Sequence, residues 1–212
     1  VSHRPRLAGR NIGGISNLTF LTDETTVTGY DLGPGNCLMD AWMEKHKGQA
    51  YDINGDWAAS GKVIQTLLQV LLADPYFDRQ QPKSIGKEYF SLPWLKRYLQ
   101  DDYSPADIQA TLLMLTASAI ARGIKAETKL PKQVLICGGG AHNIALLGAL
   151  RELLPELKIA STESINISPD FIEALMFAWL AEKTLSNTPL NLVQITGAKH
   201  PIVLGAIYPG VR

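Results

Sequence analysis

The stretch Gln133-Val-Leu-Ile-Cys-Gly-Gly-Gly-Ala-His-Asn143 decides the fold class, because a short apolar strand leads through three glycines into a helix that reaches Leu154. Residues 157–160 and 170–185 repeat this pattern of a strand followed by a helix. Before it, Ser104-Pro-Ala-Asp107 opens a helix to about residue 126 that is apolar on most of its circumference and should be buried. The alternation predicts an α/β domain with a largely parallel sheet.

The three glycines at 138–140 have one functional interpretation and two rivals. A turn without side chains lets a ligand approach the backbone where the N–H groups of the following helix face it, as in nucleotide-binding loops. A tight turn that binds nothing would also use glycine. A Rossmann dinucleotide site is disfavoured, because Asn143 stands where that motif has its third glycine and Glu163 falls in a polar loop.

Two segments near the start, 10–21 and 25–30, carry β-formers and flank the polar Thr22-Asp-Glu24, which predicts two strands joined as a hairpin. The pair Gly13-Gly14 could form a turn whose backbone amides, with the side chain of Ser16 or Asn17, touch a phosphate. A plain glycine turn without a ligand explains the same residues. The local sequence leaves both interpretations open.

Asp31 lies in Gly29-Tyr-Asp-Leu-Gly-Pro-Gly-Asn36, between the second of these strands and a helix predicted over 37–46. We expect residues 31–36 to form a loop and Asn36 to cap the helix. A carboxylate at such a point would project into a cleft, where it can accept a proton from water or an alcohol. Ordering the turn by accepting bonds from the following amides explains Asp31 equally well.

The middle of the chain is predicted to form a helix over 57–73 and then a loop over 74–90. This loop is longer than most connections in compact domains, which favours a binding role. Its second half, Lys83-Ser-Ile-Gly-Lys-Glu-Tyr-Phe90, combines charges with aromatic rings as sugar sites often do, although a solvated surface loop is the default. Farther along, Glu173 follows Asp170 at the spacing of a capping-box variant, but its carboxylate could also bind sugar hydroxyls.

The bulk composition disfavours several classes of protein. The 20 basic and 20 acidic residues give no net charge and form no basic cluster, so nucleic acid is not an expected partner. The longest apolar stretches, 64–73 and 111–121, are too short or too polar to span a membrane. Cys37 and Cys137 indicate neither a zinc site nor a disulfide framework and favour a reducing cytoplasm. The four histidines share no triad or ligand spacing, so no metal-binding or catalytic histidine is predicted.

Six motifs, taken in order, resemble those of the anhydro-N-acetylmuramic acid kinase family, and the resemblance extends over nearly the whole chain. The run around Asp31 is the most distinctive of the six. The motifs are Asn11-Ile-Gly-Gly-Ile-Ser-Asn-Leu18, Gly29-Tyr-Asp-Leu-Gly-Pro-Gly-Asn-Cys-Leu-Met-Asp-Ala-Trp42, Lys83-Ser-Ile-Gly-Lys-Glu-Tyr-Phe90, Cys137-Gly-Gly-Gly-Ala-His-Asn143, Glu173-Ala-Leu-Met-Phe-Ala-Trp-Leu-Ala181 and Val203-Leu-Gly-Ala-Ile207.

The resemblance implies an actin-like, ribonuclease H-like ATPase domain: an α/β fold with a mixed sheet flanked by helices, in one of two domains that close on ATP. Such an enzyme uses ATP and Mg²⁺ to cleave the 1,6-anhydro ring of a recycled cell-wall sugar and to phosphorylate O6, giving N-acetylmuramate 6-phosphate and ADP. The residue matching Asp31 acts as the general base that activates the attacking water. Positioning, and magnesium at the phosphates, supply most of the catalysis of such a transfer.

The same resemblance assigns ligands to the other motif residues. Lys87, Glu88 and Glu173 would bind the sugar, and Lys87 stands where the family often has Arg, which keeps the charge but loses planar bidentate bonding. The residues expected to lie by the nucleotide and its phosphates are Gly13, Gly14, Asn17, Gly33, Asn36, Gly138, Gly139, Gly140 and Asn143.

No stretch of the chain matches the glycine-rich Gly-Thr-Ser-x-Asp-Gly loop near the start of family members, and the sequence opens on Val1 rather than Met. We therefore expect residues 1–212 to be the C-terminal domain of the kinase, with the N-terminal half as its partner; a homodimer is also compatible with the resemblance. A non-enzymatic actin-like ATPase lobe, such as a chaperone or regulatory module, is the alternative. Asp31 with Gly33-Pro-Gly-Asn36 favours the kinase, since a chaperone has no use for that carboxylate.

We expect these 212 residues alone to bind nucleotide weakly and to turn over little, because the loop that holds the ATP phosphates in the family has no counterpart in them. The measurement is ADP release from the purified chain with ATP, in the presence and absence of the anhydro-sugar. Sugar-dependent release at the rate of an ordinary kinase, about 1 to 100 per second, would contradict this expectation.

Overall fold

The computed structural model of the protein describes residues 7–21, 27–127, 130–208 and 210. Val1, His3, the predicted linker 22–24 and the first two residues of the predicted strand 25–30 lie outside the described ranges. The strands are β1 (Leu7–Ile12), β2 (Ile15–Leu21), β3 (Val27–Pro34), β4 (Gln133–Cys137) and β5 (Lys158–Ser161). The α-helices are α1 (Cys37–Lys47), α2 (Asp56–Ser60), α3 (Gln65–Leu72), α4 (Leu92–Lys96), α5 (Pro105–Lys125), α6 (Ile144–Leu153), α7 (Ile172–Leu185) and α8 (Val193–Thr196).

The five strands of the described part form one sheet in the order β3-β2-β1-β4-β5. Strand β2 runs antiparallel to β1 and β3, whereas β4 is parallel to β1 and β5 is parallel to β4. This order is the ribonuclease H-like arrangement of actin-like ATPase domains, so the predicted mixed sheet is confirmed. The simpler expectation of a largely parallel sheet is wrong for β2, because a two-residue turn joins only antiparallel strands.

Helix α5 forms the centre of the core on one face of the sheet, where it packs against β3 and against the helices α1, α2, α3 and α6. Its residues are buried on most of its circumference, as the sequence predicts. Leu32 of β3 reaches the backbone of α5 at Gly123, where an added Cβ would lie 2.1 Å from Cδ2 of Leu32. Tyr30 faces the same helix: its hydroxyl lies 3.4 Å from the carbonyl oxygen of Gly123 and donates to Oε1 of Glu127, just beyond the helix, at 2.8 Å.

The Gly13-Gly14 pair separates two strands instead of lying within one, so the prediction of two strands over 10–30 is wrong by one strand. Strand β3 also extends to Pro34, and Asp31 lies inside this strand rather than in a loop. The predicted loop 31–36 is wrong for its first residues because β2 offers them a partner: Asn17 pairs with Asp31 and Ile15 pairs with Pro34.

Helices α2 and α3 replace the single helix predicted over 57–73, which is wrong. Gly61, between them, lies so close to α5 that an added Cβ would be 2.1 Å from the carbonyl oxygen of Ala106. The amide of Ile64 donates to Oγ1 of Thr111 on α5 at 2.9 Å. Contacts with α5 thus satisfy backbone groups that would otherwise bond within one continuous helix.

The predicted helix caps have mixed outcomes. Ser104 caps α5, since its Oγ accepts from the amide of Asp107 at 3.1 Å, and this prediction is confirmed. Asn36 precedes α1 but does not cap it with its side chain, which donates to the backbone of β1 instead. The predicted capping box of Asp170 and Glu173 is wrong, because the N-cap residue of α7 is Phe171 and no side chain caps this helix.

Helix α7 is apolar at most positions between Ile172 and Ala181, yet none of its residues is buried in the described structure. Phe177 is 64% exposed and Trp179 is 47% exposed. Exposed apolar side chains on this scale are unusual on a soluble surface and mark α7 as a candidate contact surface. Within the described ranges, no helix combines the length and the apolar character that crossing a bilayer requires.

Gly35 is a glycine of the candidate site region whose replacement should disturb the fold directly. An added Cβ would lie 2.3 Å from the carbonyl oxygen of Gly13, which belongs to the backbone and cannot rotate away. We expect Gly35→Ala to lower the free energy of unfolding by about 2–3 kcal/mol, measured by urea denaturation. Gly148→Ala in α6 is the matched control, because nothing lies within 4 Å of its added Cβ, and it should raise stability by about 0.5–1 kcal/mol. Equal effects of the two substitutions would refute the steric argument.

Candidate active site

Three glycine-containing segments meet at one edge of the sheet. The carboxyl ends of β1, β3 and β4 all lie at this edge because these three strands run in the same direction. The amide of Gly35 donates to the carbonyl oxygen of Gly14 at 2.9 Å, and the amide of Asn36 donates to that of Gly13 at 2.8 Å. The side chain of Asn36 donates from Nδ2 to the carbonyl oxygen of Ile12 at 3.2 Å. Ligands in α/β proteins bind at this edge, beyond the carboxyl ends of the strands.

The glycines at 138–140 differ in what surrounds them. Gly138 has φ +75°, and an added Cβ would lie 2.2 Å from Oδ1 of Asn11. Gly140 is buried, and its Cβ would lie 2.4 Å from Cγ2 of Ile12. Gly139 is exposed, and its Cβ would meet only Nδ2 of Asn36, at 3.5 Å. Packing against β1 therefore explains two of these glycines, and Gly139 is the one that leaves its backbone open to a ligand.

A row of polar side chains crosses three neighbouring strands close to this edge of the sheet. Asn11 of β1 pairs with Asn17 of β2, and Asn17 pairs with Asp31 of β3. Directly opposed residues of an antiparallel pair project from the same face of the sheet, so the three side chains share one face. Two strand spacings separate Asp31 from Asn11, which is about 10 Å.

Glu173 extends this row at its far end. Nδ2 of Asn11 donates to Oε1 of Glu173 at 3.0 Å, so the first turn of α7 stands beside β1. Cys137 of β4 pairs with Asn11, and the charge of the Glu173 carboxylate acts on its thiol. Burial, together with the negative charge of Glu173, raises the pKa of the Cys137 thiol to about 11. Asn17 and Asn11 thus lie between the two predicted carboxylates, Asp31 and Glu173, in the order of the strands.

Asp31 is held by the loop over 74–90. Its amide donates to the carbonyl oxygen of Lys83 at 2.9 Å, and its Oδ2 accepts from the amide of Ile85 at 2.9 Å. The carboxyl group is half-buried, and this burial raises its pKa above the usual value, although the bond from Ile85 opposes the rise. A carboxylate whose pKa lies closer to neutrality is a better proton acceptor at cellular pH.

The remaining predicted residues lie around this arrangement. Asn143 is 9% exposed and caps α6, since its Oδ1 accepts from the amide of Leu146 at 2.9 Å. Gly33 has φ +151° and lies against the ring of Phe77. Lys87 and Glu88 are exposed on the loop that holds Asp31, two and three residues beyond Ile85.

Sequence reasoning missed Asn11 and the pair of His142 with Asp170. Asn11 opens the first of the six motifs as a polar residue at the end of a strand, and that position is the signal in the sequence. Nε2 of His142 lies 2.8 Å from Oδ1 of Asp170, and the amide of Gly138 donates to the carbonyl oxygen of Pro169 at 3.0 Å. The triple-glycine loop is therefore tied to the segment before α7, a contact that sequence spacing does not reveal.

The order and direction of the strands are those of the actin-like ATPase fold, which the sugar kinase superfamily shares. The family model described as anhydro-N-acetylmuramic acid kinase matches residues 2–210. The chain belongs to this family, and the resemblance of its six motifs is confirmed.

Curated relatives agree with this assignment. The anhydro-N-acetylmuramic acid kinase of Legionella pneumophila (strain Paris) is 55% identical over 202 residues, which cover 95% of this chain and 55% of the relative. That of Nitrosospira multiformis is 50% identical over 199 residues, covering 94% of this chain and 54% of the relative. The chain thus spans about half the length of the curated relatives it matches. Among solved structures, the activator of the 2-hydroxyisocaproyl-CoA dehydratase from Clostridium difficile with bound ADPNP aligns over 90% of this chain and 66% of that chain, at 14% identity and a TM-score of 0.47.

Substitution of single glycines in the loop 138–140 should separate folding from ligand binding. We expect Gly139→Ala to leave the melting temperature within about 2 °C of the parent, because its Cβ meets only an ordinary contact. The same change should weaken nucleotide binding about tenfold, measured by calorimetry on the full-length protein, because the methyl group keeps phosphate from the backbone. Gly140→Ala, which collides with Ile12, should lower the melting temperature instead. Unchanged nucleotide affinity in Gly139→Ala would show that this loop does not touch the nucleotide.

Proposed function

We propose that this protein is an ATP-dependent kinase that converts 1,6-anhydro-N-acetylmuramic acid and water to N-acetylmuramate 6-phosphate, with release of ADP. The observation that carries the proposal is Asp31: a half-buried carboxylate with raised pKa, fixed through Ile85, in a polar row that leads to Glu173. The glycine segments, whose backbone amides could bind phosphate, lie near Asp31 at the carboxyl edge of the sheet. Membership of the family supports this combination of acid–base chemistry with phosphoryl transfer.

In the proposed reaction Asp31 takes a proton from water while the water oxygen forms a bond to the anomeric carbon. The bond from that carbon to O6 breaks, and O6 leaves with the electron pair. O6 then attacks the γ-phosphorus of ATP, and the bond from that phosphorus to the β,γ-bridging oxygen breaks to release ADP. The raised pKa of Asp31 suits the first step, because a base of higher pKa removes a proton more readily.

The nucleotide would lie over the carboxyl edge of the sheet. Gly139 offers an exposed backbone there beside Asn36, and the segments of Gly13-Gly14 and Gly33–Asn36 lie at the same edge. Among the described residues, no three His, Cys, Asp or Glu side chains converge as a metal site. A magnesium ion in a kinase is bound largely through phosphate oxygens and water, so we assign it no cage of ligands from this chain. When bound, it would neutralise charge on the transferring phosphate.

The sugar would lie over the polar row, between Asp31 and Glu173. The span of about 10 Å from Asp31 to Asn11 is suited to one sugar ring with its substituents. Glu173 keeps one oxygen for ligand hydroxyls while Oε1 accepts from Asn11. Lys87 and Glu88 are exposed on the loop that holds Asp31, where they can contact the substituents of the ring.

A second domain is part of the proposal. The chain spans 55% of the length of its Legionella relative, and the apolar helix α7 has no buried residue. We assign residues 1–212 to the C-terminal domain of a two-domain kinase, in which further polypeptide covers α7 and completes the phosphate site. We place the reaction in the cytoplasm, where ATP is available; the low cysteine content of the chain, Cys37 and Cys137, is compatible with that location.

Asp31→Asn tests the proposed base. In the full-length protein, or in this chain co-expressed with the rest of the kinase, we expect turnover to fall about 100- to 10,000-fold while nucleotide affinity is kept. Asparagine retains an oxygen that can accept from Ile85, so the strand should keep its geometry. The control is Asp101→Asn, which neutralises an exposed carboxylate outside the site. Normal turnover by Asp31→Asn would remove the assignment of Asp31 as the base.

A further inference from the structure

Asp74 is a buried carboxylate at the start of the loop over 74–90, with only 4% of its surface exposed. Three hydrogen bonds converge on it. Its Oδ1 accepts from the amide of Tyr76 and from the hydroxyl of Tyr89, both at 2.9 Å, and its Oδ2 accepts from Nε1 of Trp94 at 2.8 Å. These donors come from the beginning of the loop, from its end and from α4, so one carboxylate closes the loop on itself.

Aromatic rings surround this carboxylate and exclude water from it. Tyr89 lies edge-on to Phe90 with ring centroids 5.0 Å apart, and Phe90 lies edge-on to Trp94 at 5.1 Å. Tyr76 meets Phe90 in the same edge-on geometry at 5.6 Å. A hydrogen bond to a carboxylate in such surroundings is stronger than one in water, and removing its partner is correspondingly costly.

Residues of this loop form hydrogen bonds with the carbonyl oxygen, the amide and the carboxylate of Asp31. The hydroxyl of Tyr76 donates to the carbonyl oxygen of Asp31 at 3.0 Å, and the carbonyl oxygen of Lys83 accepts from the amide of Asp31 at 2.9 Å. The amide of Ile85 donates to the Asp31 carboxylate itself. Nζ of Lys83 donates to the carbonyl oxygens of Tyr76 and Phe77 at 3.0 and 3.2 Å. These bonds connect the beginning of the loop to the segment of Lys83 and Ile85.

We propose that Asp74 is a positioning residue for Asp31, acting through the loop that it closes. The inference rests on the proposed function, in which Asp31 is the base. A catalytic carboxylate must be held to within about 0.5 Å to act efficiently, and a long loop without helix or strand does not supply that precision unaided. Asp74 supplies it by fixing Tyr76 and Tyr89, and hence the segment that carries Lys83 and Ile85.

A role confined to stability would not require this arrangement. Burying an ionised carboxylate is costly unless every oxygen is bonded, and an apolar residue among the same aromatic rings would avoid that cost. Tyr76, which donates to Asp74 through its amide, also donates through its hydroxyl to the carbonyl oxygen of Asp31 and is bonded by Nζ of Lys83, whose carbonyl oxygen accepts from the amide of Asp31. The arrangement controls the orientation of one carboxylate more directly than it adds to the core.

The test removes single donors to Asp74 in the full-length protein. We expect Tyr89→Phe, and separately Trp94→Phe, to lower kcat about tenfold while the KM for ATP changes less than about twofold. Tyr98→Phe is the matched control: its ring packs against Trp94 with centroids 5.3 Å apart, but Asp74 accepts nothing from its hydroxyl. A kcat for Tyr89→Phe and Trp94→Phe equal to that of Tyr98→Phe would overturn the role of Asp74.

Combining the changes distinguishes positioning from general weakening of the structure. If Asp74 acts through Asp31, adding Tyr89→Phe to Asp31→Asn should lower the residual rate by less than about twofold, recorded with enough enzyme to follow that rate. A further tenfold loss in the double variant would show that Asp74 acts independently of Asp31 and would overturn the inference. Full turnover by Asp31→Asn alone would instead overturn the proposed base, and this inference with it.

Discussion

The backbone contact between the β1–β2 turn and the end of β3 is the constraint on which the candidate site depends. The amides of Gly35 and Asn36 donate to carbonyl oxygens of the turn, and Oγ1 of Thr116 on α5 donates to the carbonyl oxygen of Gly35 at 2.8 Å. No side chain fits at Gly35 between these partners. Because this contact fixes where β3 ends, it also fixes where α1 begins and brings the glycine segments of two strand ends together.

The pleat of β3 then determines which of its side chains face the candidate site and which face α5. Tyr30 and Leu32 point towards α5, so Asp31 between them points to the opposite face. The register with β2 shifts between Ser16 and Asn17, as at a β-bulge, and leaves Leu32 without a paired residue. Such irregularities re-aim side chains beside active sites. A slip of one residue would turn Asp31 into the core and break the polar row.

Local sequence patterns predict the parts of this fold that local forces determine. The apolar run before Gly138 and the cap at Ser104 depend on neighbours a few residues away, and both were predicted correctly. The break at Gly61 and the strand conformation of Asp31 depend on α5 and β2, which are distant in sequence, and both were missed. The convergence of donors on Asp74 is of the same kind, since no spacing rule brings Tyr89 and Trp94 to one carboxylate.

The triple glycine shows why a sequence motif alone could not identify the ligand-binding atoms. Gly138 and Gly140 are required by close packing against Asn11 and Ile12, so a loop that bound nothing would need them as well. Only Gly139 has room for a side chain and nevertheless lacks one, at a point where its backbone is exposed beside Asn36. Close packing explains why residues 138 and 140 are glycines, but it does not explain why residue 139 is one. A nucleotide bound at this edge would therefore meet the one glycine of the three that packing does not require.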